Sequence, residues 1–386
     1  MSQIKRIFSF SFFFFVIYFV CFGGILDNFV YTFDTDELLN SSELELNVLG
    51  LYLKYIEEGK EEYKITANQT RSYLYSQLKP DDSAVLNVLS EYTPGNEEEA
   101  IRKLDIVVSN YPDSVIANAI RIYFDFIKWE KTKDAQSFKK ILSSIDIIKE
   151  SIGDTPFTVY YESILEWEAS DSEKKDALLE NLENMYWDYP SNRKIQELLI
   201  VQAFELEKFE KVTQLANSYI SISNKDERII FLIASSYFHL DKIKEARSQI
   251  EWIIQNSTKK TVLSKSYELL GDISNTLTQK NNYYKMSAEI DPENSDALAK
   301  LATSLYQENE KDNLEISRMY LARALVNNPD NHSIQEALKV IDRKLKRNYF
   351  LSIHLPFFIV LLGIFFVVYK FGGENKSENG NRNQDD

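Results

Sequence analysis

The sequence predicts an all-α protein built from repeated helix pairs. Pro190, Asn224, Thr258 and Pro292 follow one another at steps of 34 residues. The residues twelve, eight and five places before such positions are small or apolar, which keeps one face of a helix apolar. Only 11 glycines and 8 prolines interrupt the 386 residues, too few for a turn-rich β architecture. Helix pairs that stack on their neighbours account for all three observations.

Four predicted second helices share this apolar pattern. Its residues are Ala100, Leu104 and Val107; Leu178, Leu182 and Met185; Val212, Ala216 and Tyr219; and Ala246, Ile250 and Ile253. Because these spacings of four and three place the side chains on one helical face, we expect each set to pack on the first helix of its own pair. The small Ala246 is expected where the two helices of a pair cross.

Several stretches carry a family resemblance: Ile233–Ala234 with Tyr237, Leu270–Gly271, and Ala288–Asn294 with its Asp-Pro-Glu-Asn turn. They resemble the tetratricopeptide repeat (TPR) family, whose unit has two antiparallel helices, small residues at fixed crossings and a closing proline. The resemblance implies a TPR-like helical-hairpin solenoid over residues 81–331. The predicted units are 81–114, 115–158, 159–192, 193–226, 227–260, 261–294 and 295–331.

Three features depart from the family pattern. Gly271 lies 21 residues before Pro292, where the family has 24. The unit 115–158 is about ten residues longer than 34. The unit that ends at Pro329 carries three extra residues, which we expect in the turn from Glu308 to Asn313.

Two apolar runs flank the repeats, and both are long enough to span a bilayer, which takes about 20 residues. The first, Ile7 to Leu26, has no charged residue and follows Lys5 and Arg6. It is predicted to be a signal anchor or a cleaved signal peptide. The small residues Cys21 and Gly23 suit a cleavage site, whereas the long apolar core favours retention. Lipidation of Cys21 is a third interpretation.

The second run, Asn348 to Tyr369, is predicted to be a transmembrane helix, with a buried solenoid helix as the alternative. Four basic residues precede it and are candidates for contact with lipid headgroups or for simple anchoring at the membrane edge: Arg343, Lys344, Lys346 and Arg347. The predicted organisation is 1–26 signal segment, 27–80 helical cap, 81–331 repeats, 332–347 capping helix, 348–370 transmembrane helix and 371–386 disordered polar tail.

The charge balance restricts the class of partner. The formal net charge is −15, and residues 27–369 alone carry −16. Binding to nucleic acid phosphates requires a basic surface that displaces counterions, so an acidic body argues against a nucleic acid partner. Neutral or basic proteins are the expected partners.

The sequence gives no support for an enzyme, a cofactor or a metal site. His239, His332 and His354 are scattered, and Cys21 is the single cysteine. Glu162 and Glu166 lie four residues apart on one helical face and could hold a metal or share a proton. Without a histidine or further ligand spacing beside them, we interpret the pair as a solvated or partner-facing surface.

The family resemblance also implies a groove lined by first helices, in which an extended peptide or a partner helix lies. The basic and asparagine clamp of some members has no match at the corresponding positions, among them Glu197 and Val201. The candidate groove residues are aromatic, with burial in the core as the alternative: Tyr123, Phe124, Tyr160, Tyr161, Tyr237 and Phe238.

These observations predict a membrane-anchored TPR-type scaffold that holds other proteins in a membrane or envelope complex. The alternatives are an assembly or chaperone factor for envelope proteins and a structural brace within a membrane complex. Lys5 and Arg6 place the amino terminus in the cytoplasm and the repeats on the non-cytoplasmic side of a plasma or inner membrane. The bases from Arg343 to Arg347 favour the opposite orientation, but the earliest segment usually dominates.

Overall fold

The computed structural model describes residues 24–74, 78–221 and 225–374, and every regular element in these ranges is helical. The predicted signal segment up to Gly23, including Cys21, lies outside the described residues, as do Asn224 and the tail after Glu374. The chain divides into two compact units, Met1–Ile222 and Ser223–Asp386, here unit 1 and unit 2.

Unit 1 begins with a 3₁₀ turn, Ile25–Asn28, and continues with twelve α-helices in its described part. They are α1 (Phe29–Thr32), α2 (Thr35–Leu39), α3 (Leu44–Glu58), α4 (Glu61–Arg71), α5 (Pro80–Glu91), α6 (Glu97–Asn110), α7 (Val115–Thr132), α8 (Ala135–Ile152), α9 (Pro156–Trp167), α10 (Ser172–Asp188), α11 (Arg193–Glu205) and α12 (Phe209–Ile220). From α5 onwards the helices pack as consecutive pairs, and α5 also contacts α7 as α9 contacts α11.

Polar side chains in the turns begin these helices. Ser114 Oγ accepts from Ala117 N at 3.3 Å, Asp171 Oδ1 from Lys174 N at 2.9 Å and Asn192 Oδ1 from Ile195 N at 3.1 Å. Each bond satisfies a backbone N–H that has no partner inside the helix. These three side chains therefore act as helix caps in unit 1.

In its described part, unit 2 contains three helix pairs followed by a helix that continues into a long apolar helix. Its helices are α13 (Glu227–His239), α14 (Ile243–Asn256), α15 (Lys260–Asp272), α16 (Leu277–Ile290), α17 (Ser295–Glu308), α18 (Glu310–Asn327), α19 (His332–Tyr349) and α20 (Leu355–Glu374). A π-helical turn, Phe350–His354, joins α19 to α20. Within the described residues one continuous helix, His332–Lys370, is long and apolar enough to cross a membrane.

The repeat pattern is confirmed by burial. All twelve predicted second-helix residues, from Ala100 to Ile253, are at most 9% exposed, and the last three, Ala246, Ile250 and Ile253, are completely buried. Pro190 and Pro292 each follow the end of a second helix, as the 34-residue period predicts. The period therefore corresponds to one helix pair.

Gly271 marks a close helix crossing within unit 2. A Cβ at this position would lie 2.3 Å from Cε1 of Tyr284, which is closer than side-chain atoms approach one another. Helices α15 and α16 thus pack with the Tyr284 ring against the backbone of Gly271. The glycine serves as the crossing residue although its sequence spacing differs from the family pattern.

The structure explains one departure in repeat length and corrects another. Both helices of the long unit 115–158 have 18 residues, so its extra length extends the helices. The three extra residues of the unit ending at Pro329 do not lie in the turn after Glu308. Asn309 alone separates α17 from α18 and caps α18, accepting from Asp312 N at 3.2 Å, and the added length lies within the 18-residue α18.

We expect Ala246→Trp to destabilise unit 2 by about 1–3 kcal/mol, because an indole cannot fit at a completely buried helix crossing without displacing its neighbours. Thermal unfolding followed by circular dichroism measures the effect. Ser248→Trp is the matched control, since Ser248 is exposed on the same helix. Equal melting temperatures for the two variants would contradict the assigned repeat register.

Candidate interaction surface

The first helices of unit 1 form the face on which the family resemblance predicts a binding groove. This first-helix face consists of α7, α9 and α11. The chain's own amino-terminal segment, residues 25–39, lies on it: the 3₁₀ turn contacts α7, and α1 contacts both α7 and α9. Part of the region predicted as a cap thus packs along the first helices.

Aromatic rings hold the amino-terminal segment on α9. The Phe157 ring centroid lies 5.4 Å from that of Phe29 and 5.5 Å from that of Phe33. The Phe33 ring also lies 5.2 Å from that of Tyr160 and 6.5 Å from that of Tyr161. Such tilted and edge-on pairs are the preferred aromatic geometries, and each adds about 0.5–1.5 kcal/mol beyond the burial of area.

Polar contacts fix the same segment on the start of α11. Asn192 Nδ2 donates to the carbonyl oxygen of Tyr31 at 2.8 Å. Arg193 Nε lies 2.9 Å from Asp34 Oδ2, and its Nη1 lies 3.4 Å from Asp36 Oδ2. Because the Asp34 side chain is 1% exposed, this ion pair is largely shielded from water.

The Asp34 carboxylate also organises the segment itself. Its Oδ1 accepts from Asp36 N at 2.9 Å and from Glu37 N at 3.3 Å, which caps α2. Burial and the charge of Asp34 raise the pKa of Glu37 to about 7, against the opposing influence of Arg193. The segment therefore has an ordered, hydrogen-bonded conformation on the first-helix face.

The structure places the predicted groove aromatics of unit 1 in or against the core. Tyr161 is buried, and burial raises its pKa well above the usual value. Tyr160 is half-buried beneath Phe33, and Tyr123 is half-buried beside the buried Phe124. The structure thus brings Tyr160 and Tyr161 together, but the chain's own segment covers them. Contact of these rings with a partner stays a prediction.

Unit 2 carries the other two predicted groove aromatics. Tyr237 is buried, with Lys242 Nζ 5.9 Å from its ring centroid, and Phe238 is half-buried. Both lie near the end of α13, and Phe238 packs against the core of the unit. Their contact with a partner likewise stays a prediction.

A charged network connects the first helices α15 and α17 of unit 2. Lys300 Nζ lies 2.7 Å from Glu268 Oε1 and 2.6 Å from Asp272 Oδ2. Asn294 Nδ2 donates to Glu268 Oε2 at 3.1 Å. Burial alone would lower the pKa of Lys300, but the two carboxylates outweigh this effect and raise it. Sequence reasoning missed this network, although Glu268 and Asp272 lie four residues apart on one helical face.

The carboxylate pair on α9 is engaged in ion pairs. Lys149 Nζ lies 3.0 Å from Glu162 Oε2, and Lys174 Nζ lies 2.9 Å from Glu166 Oε2. The two lysines come from the neighbouring helices α8 and α10, so each carboxylate joins α9 to a different neighbour. Across the ranges that the structure describes, no three His, Cys, Asp or Glu side chains form a potential metal site.

The basic residues before α20 do not share one environment. Arg343, Lys346 and Arg347 are exposed. Lys344 instead lies 2.8 Å from Glu310 Oε1 and donates to the hydroxyl of Tyr306. Lys344 is therefore engaged in joining α19 to the preceding pair, and the other three bases are accessible at the end of unit 2.

No family model and no curated protein matches this sequence. Among solved structures, the chain is similar to a chain of the APC/C hetero-tetramer Cut9–Hcn1, with a TM-score of 0.51 and 10% identity. The match covers 80% of this chain but only 58% of that chain. It is also similar to the C-terminal part of a TPR repeat-containing protein from Cytophaga hutchinsonii (TM-score 0.45, 12% identity, covering 67% of this chain and 98% of that one). A third is the TPR domain of P58(IPK) (TM-score 0.37, 15% identity, covering 79% and 80%). The chain has a TPR-like fold.

Proposed function

We propose that this protein is a membrane-anchored scaffold that binds other proteins through its helix pairs and has no catalytic activity of its own. The observation that carries the proposal is the continuity of a TPR-like unit with a helix of exposed apolar side chains. Stacked helix pairs present extended surfaces that suit proteins and peptides as ligands. The acidic charge of residues 27–369 favours a neutral or basic protein over a nucleic acid.

The membrane part of the proposal rests on α20. Of the 14 residues from Leu355 to Val368, all but Pro356 and Gly363 are Leu, Ile, Val or Phe. No residue of the most apolar 18-residue window, with a mean hydropathy of 2.6, is buried. At a helix centre each such side chain favours insertion by about 0.3–0.6 kcal/mol, so the twelve together contribute roughly 4–7 kcal/mol. A bilayer is the environment that removes this surface from water.

We place the repeats on the non-cytoplasmic side. Lys5 and Arg6 precede the first apolar run, and the next basic residue is Lys54. The earliest segment usually sets the orientation, and long domains cross a membrane largely regardless of their charge. The exposed Arg343 and Arg347 would then lie at the lipid headgroups, where each contributes about 1 kcal/mol if the lipids are anionic.

We place the protein partner on the first helices of unit 2, α13, α15 and α17. In unit 1 the corresponding face around Tyr160 is covered by residues 25–39, whereas Lys265 and Thr303 of unit 2 are exposed. The half-buried Tyr267 and the Glu268 network lie on the same helices. Together they offer an aromatic ring and fixed charges to an extended peptide or a helix.

Purification of the full chain from crosslinked membranes tests the proposed function. A scaffold is expected to recover one stoichiometric set of proteins, whereas an assembly factor would recover many clients in small amounts. Recovery of no protein above background would contradict both.

Thr303→Arg is expected to reduce recovery of the partner about tenfold, a loss of about 1.4 kcal/mol of binding free energy, because a bulky cation on the first helices would block contact and repel a basic partner. Ser248→Arg adds the same group to an exposed position of a second helix and is the matched control. Quantitative mass spectrometry measures both recoveries. Equal losses for the two variants would contradict the assigned face.

A further inference from the structure

A cavity of about 720 Å³ lies in unit 1 where the described chain begins. Its lining includes Gly24, Asp27, Lys79, Asp81 and Ser114. Asp81 Oδ2 accepts from Ser114 Oγ at 2.8 Å, and Asp27 Oδ1 accepts from Ile116 N at 3.3 Å. The backbone of Gly24 therefore enters unit 1 beside a set of carboxylates that are built into the fold.

Gly24 approaches two of these carboxylates closely. Its backbone nitrogen donates to Asp27 Oδ2 at 2.6 Å. A Cβ at Gly24 would lie 2.9 Å from Asp82 Oδ2 and 3.3 Å from Asp82 Oδ1. Since the nitrogen and a Cβ share one α-carbon, the nitrogen itself is within roughly 5.5 Å of Asp82 Oδ2. A side chain at residue 24 would require the Asp82 carboxyl group to shift, so glycine lets the backbone lie directly beside that group.

One oxygen of the buried Asp82 carboxyl group has no hydrogen-bond partner in the part of the chain that the structure describes. Asp82 is 3% exposed, and the oxygen concerned is Oδ1. Burial and the negative charges of Asp81, Asp27 and Glu45 raise its pKa to about 7, and only Lys79 acts in the other direction. Such a buried acid is costly unless a cation and hydrogen-bond donors are supplied.

Lys79 is close but does not serve as that cation. Its Cδ lies 3.3 Å from the position that a Cβ at Gly24 would occupy, yet Lys79 forms no ion pair with another described residue. A free α-amino group on Gly24 would carry one positive charge and three donors, against the single N–H of a peptide bond. It would have this charge at neutral pH, because an α-amino group has a pKa of about 7.7–8.0.

The sequence supplies a way to produce this amino group. Cys21 and Gly23 are small residues at the third and first positions before the Gly23–Gly24 bond, and Lys5 and Arg6 precede the apolar run. This is the pattern of a signal peptide that ends in a small-residue cleavage site. The sequence alone leaves cleavage, retention and lipidation of Cys21 open. The carboxyl groups of Asp27 and Asp82 beside Gly24 favour cleavage of the Gly23–Gly24 bond.

We propose that a membrane-bound signal peptidase hydrolyses the Gly23–Gly24 bond and that the new α-ammonium group of Gly24 pairs with Asp27, which lines this cavity, and with the neighbouring buried Asp82. Water adds to the carbonyl carbon of Gly23 and the C–N bond breaks. Gly23 leaves as a carboxylate, and the nitrogen of Gly24 takes up protons to become the ammonium group. Attachment to the membrane then depends on α20, and the maturation step is independent of which partner the helix pairs bind.

Amino-terminal sequencing and intact mass of the full chain, purified from membranes of its natural host, test the cleavage site. The expected first residues are Gly-Ile-Leu-Asp-Asn, starting at Gly24. A chain that starts at Met1, at a modified Cys21 or at any other residue overturns the proposal. This readout uses the unaltered protein and so does not depend on the folding of a variant.

The pairing is tested by Asp82→Asn in two backgrounds. In the processed chain the substitution is expected to lower Tm by about 5 °C or more, since it removes the partner of a buried cation. In a Gly23→Trp chain, where cleavage is blocked and mass confirms retention, it is expected to leave Tm unchanged or raise it. Asp113→Asn, which alters an exposed acid that lines the cavity, is the control in both. Equal shifts for Asp82→Asn in both backgrounds overturn the pairing.

Discussion

Replacing Phe157 with alanine is expected to lower the free energy of unfolding of unit 1 by about 3–5 kcal/mol, the usual cost of removing a buried phenyl ring. Phe157 is completely buried, and its ring packs against Phe29, Phe33 and Tyr161. The variant loses contacts within α9 and contacts to the amino-terminal segment at once. Denaturant unfolding measures the stability, and limited proteolysis followed by mass spectrometry measures release of residues 25–39.

Two comparison variants separate these effects. Ile106→Ala removes a side chain that is 62% exposed on α6 and is expected to change stability by less than about 0.5 kcal/mol. Phe33→Ala removes the ring that the amino-terminal segment contributes. It should release the segment with a smaller loss of stability than Phe157→Ala, because the packing within α9 is retained. If Phe157→Ala leaves the segment as resistant to protease as the unaltered chain, the segment is not held by this aromatic cluster.

The repeat architecture could be predicted from the sequence because its determinants are local. A helix pair places its contacts at fixed spacings, so the buried positions from Ala100 to Ile253 follow from period and side-chain size alone. The prediction that the three extra residues lie in the turn after Glu308 is wrong for a related reason. The spacing of the family pattern shows that this unit has three extra residues. It does not show whether they extend a helix or lengthen a turn, because both changes add the same number of residues.

The covering of the first-helix face could not be predicted in this way. Tyr31 and Asn192 are joined by a hydrogen bond across 161 positions of the sequence, and no local pattern encodes such a pairing. The four-residue spacing of Phe29 and Phe33 indicates an apolar helical face but not the surface that it meets. Aromatic residues such as Tyr160 and Tyr161 suit both cores and binding grooves, and in this structure contact with Phe33 of the amino-terminal segment covers them.

The basic stretch before α20 illustrates the same limit on a smaller scale. In the sequence, Lys344 is a candidate for lipid contact together with Arg343, Lys346 and Arg347 because the four are nearly consecutive. On a helix, however, residues at adjacent positions point about 100° apart, and Lys344 faces Glu310 of the preceding pair. We therefore expect the three exposed bases, Arg343, Lys346 and Arg347, and not Lys344, to be available for lipid contact.

Ending the chain after Tyr349 is expected to move the protein from the membrane fraction to the soluble fraction. The truncation removes α20, whose twelve large apolar side chains favour insertion by roughly 4–7 kcal/mol. It keeps α19, whose buried Ile334 and Ile341 pack on the preceding helix pair, so unit 2 should remain folded. Ending the chain after Glu374 removes only the polar tail and is the control that should stay in the membrane.

The compartment in which the shortened protein is found tests the orientation as well. If the first apolar run is cleaved and the repeats cross the membrane, the chain ending at Tyr349 is expected as a soluble protein outside the cytoplasm. Soluble protein inside the cytoplasm would contradict the orientation inferred from Lys5 and Arg6. Shortened protein that remains in the membrane after alkaline carbonate extraction would show that the first run is a retained anchor. Its first residue, read by amino-terminal sequencing, would then lie before Gly24, and the same experiment would contradict the maturation step.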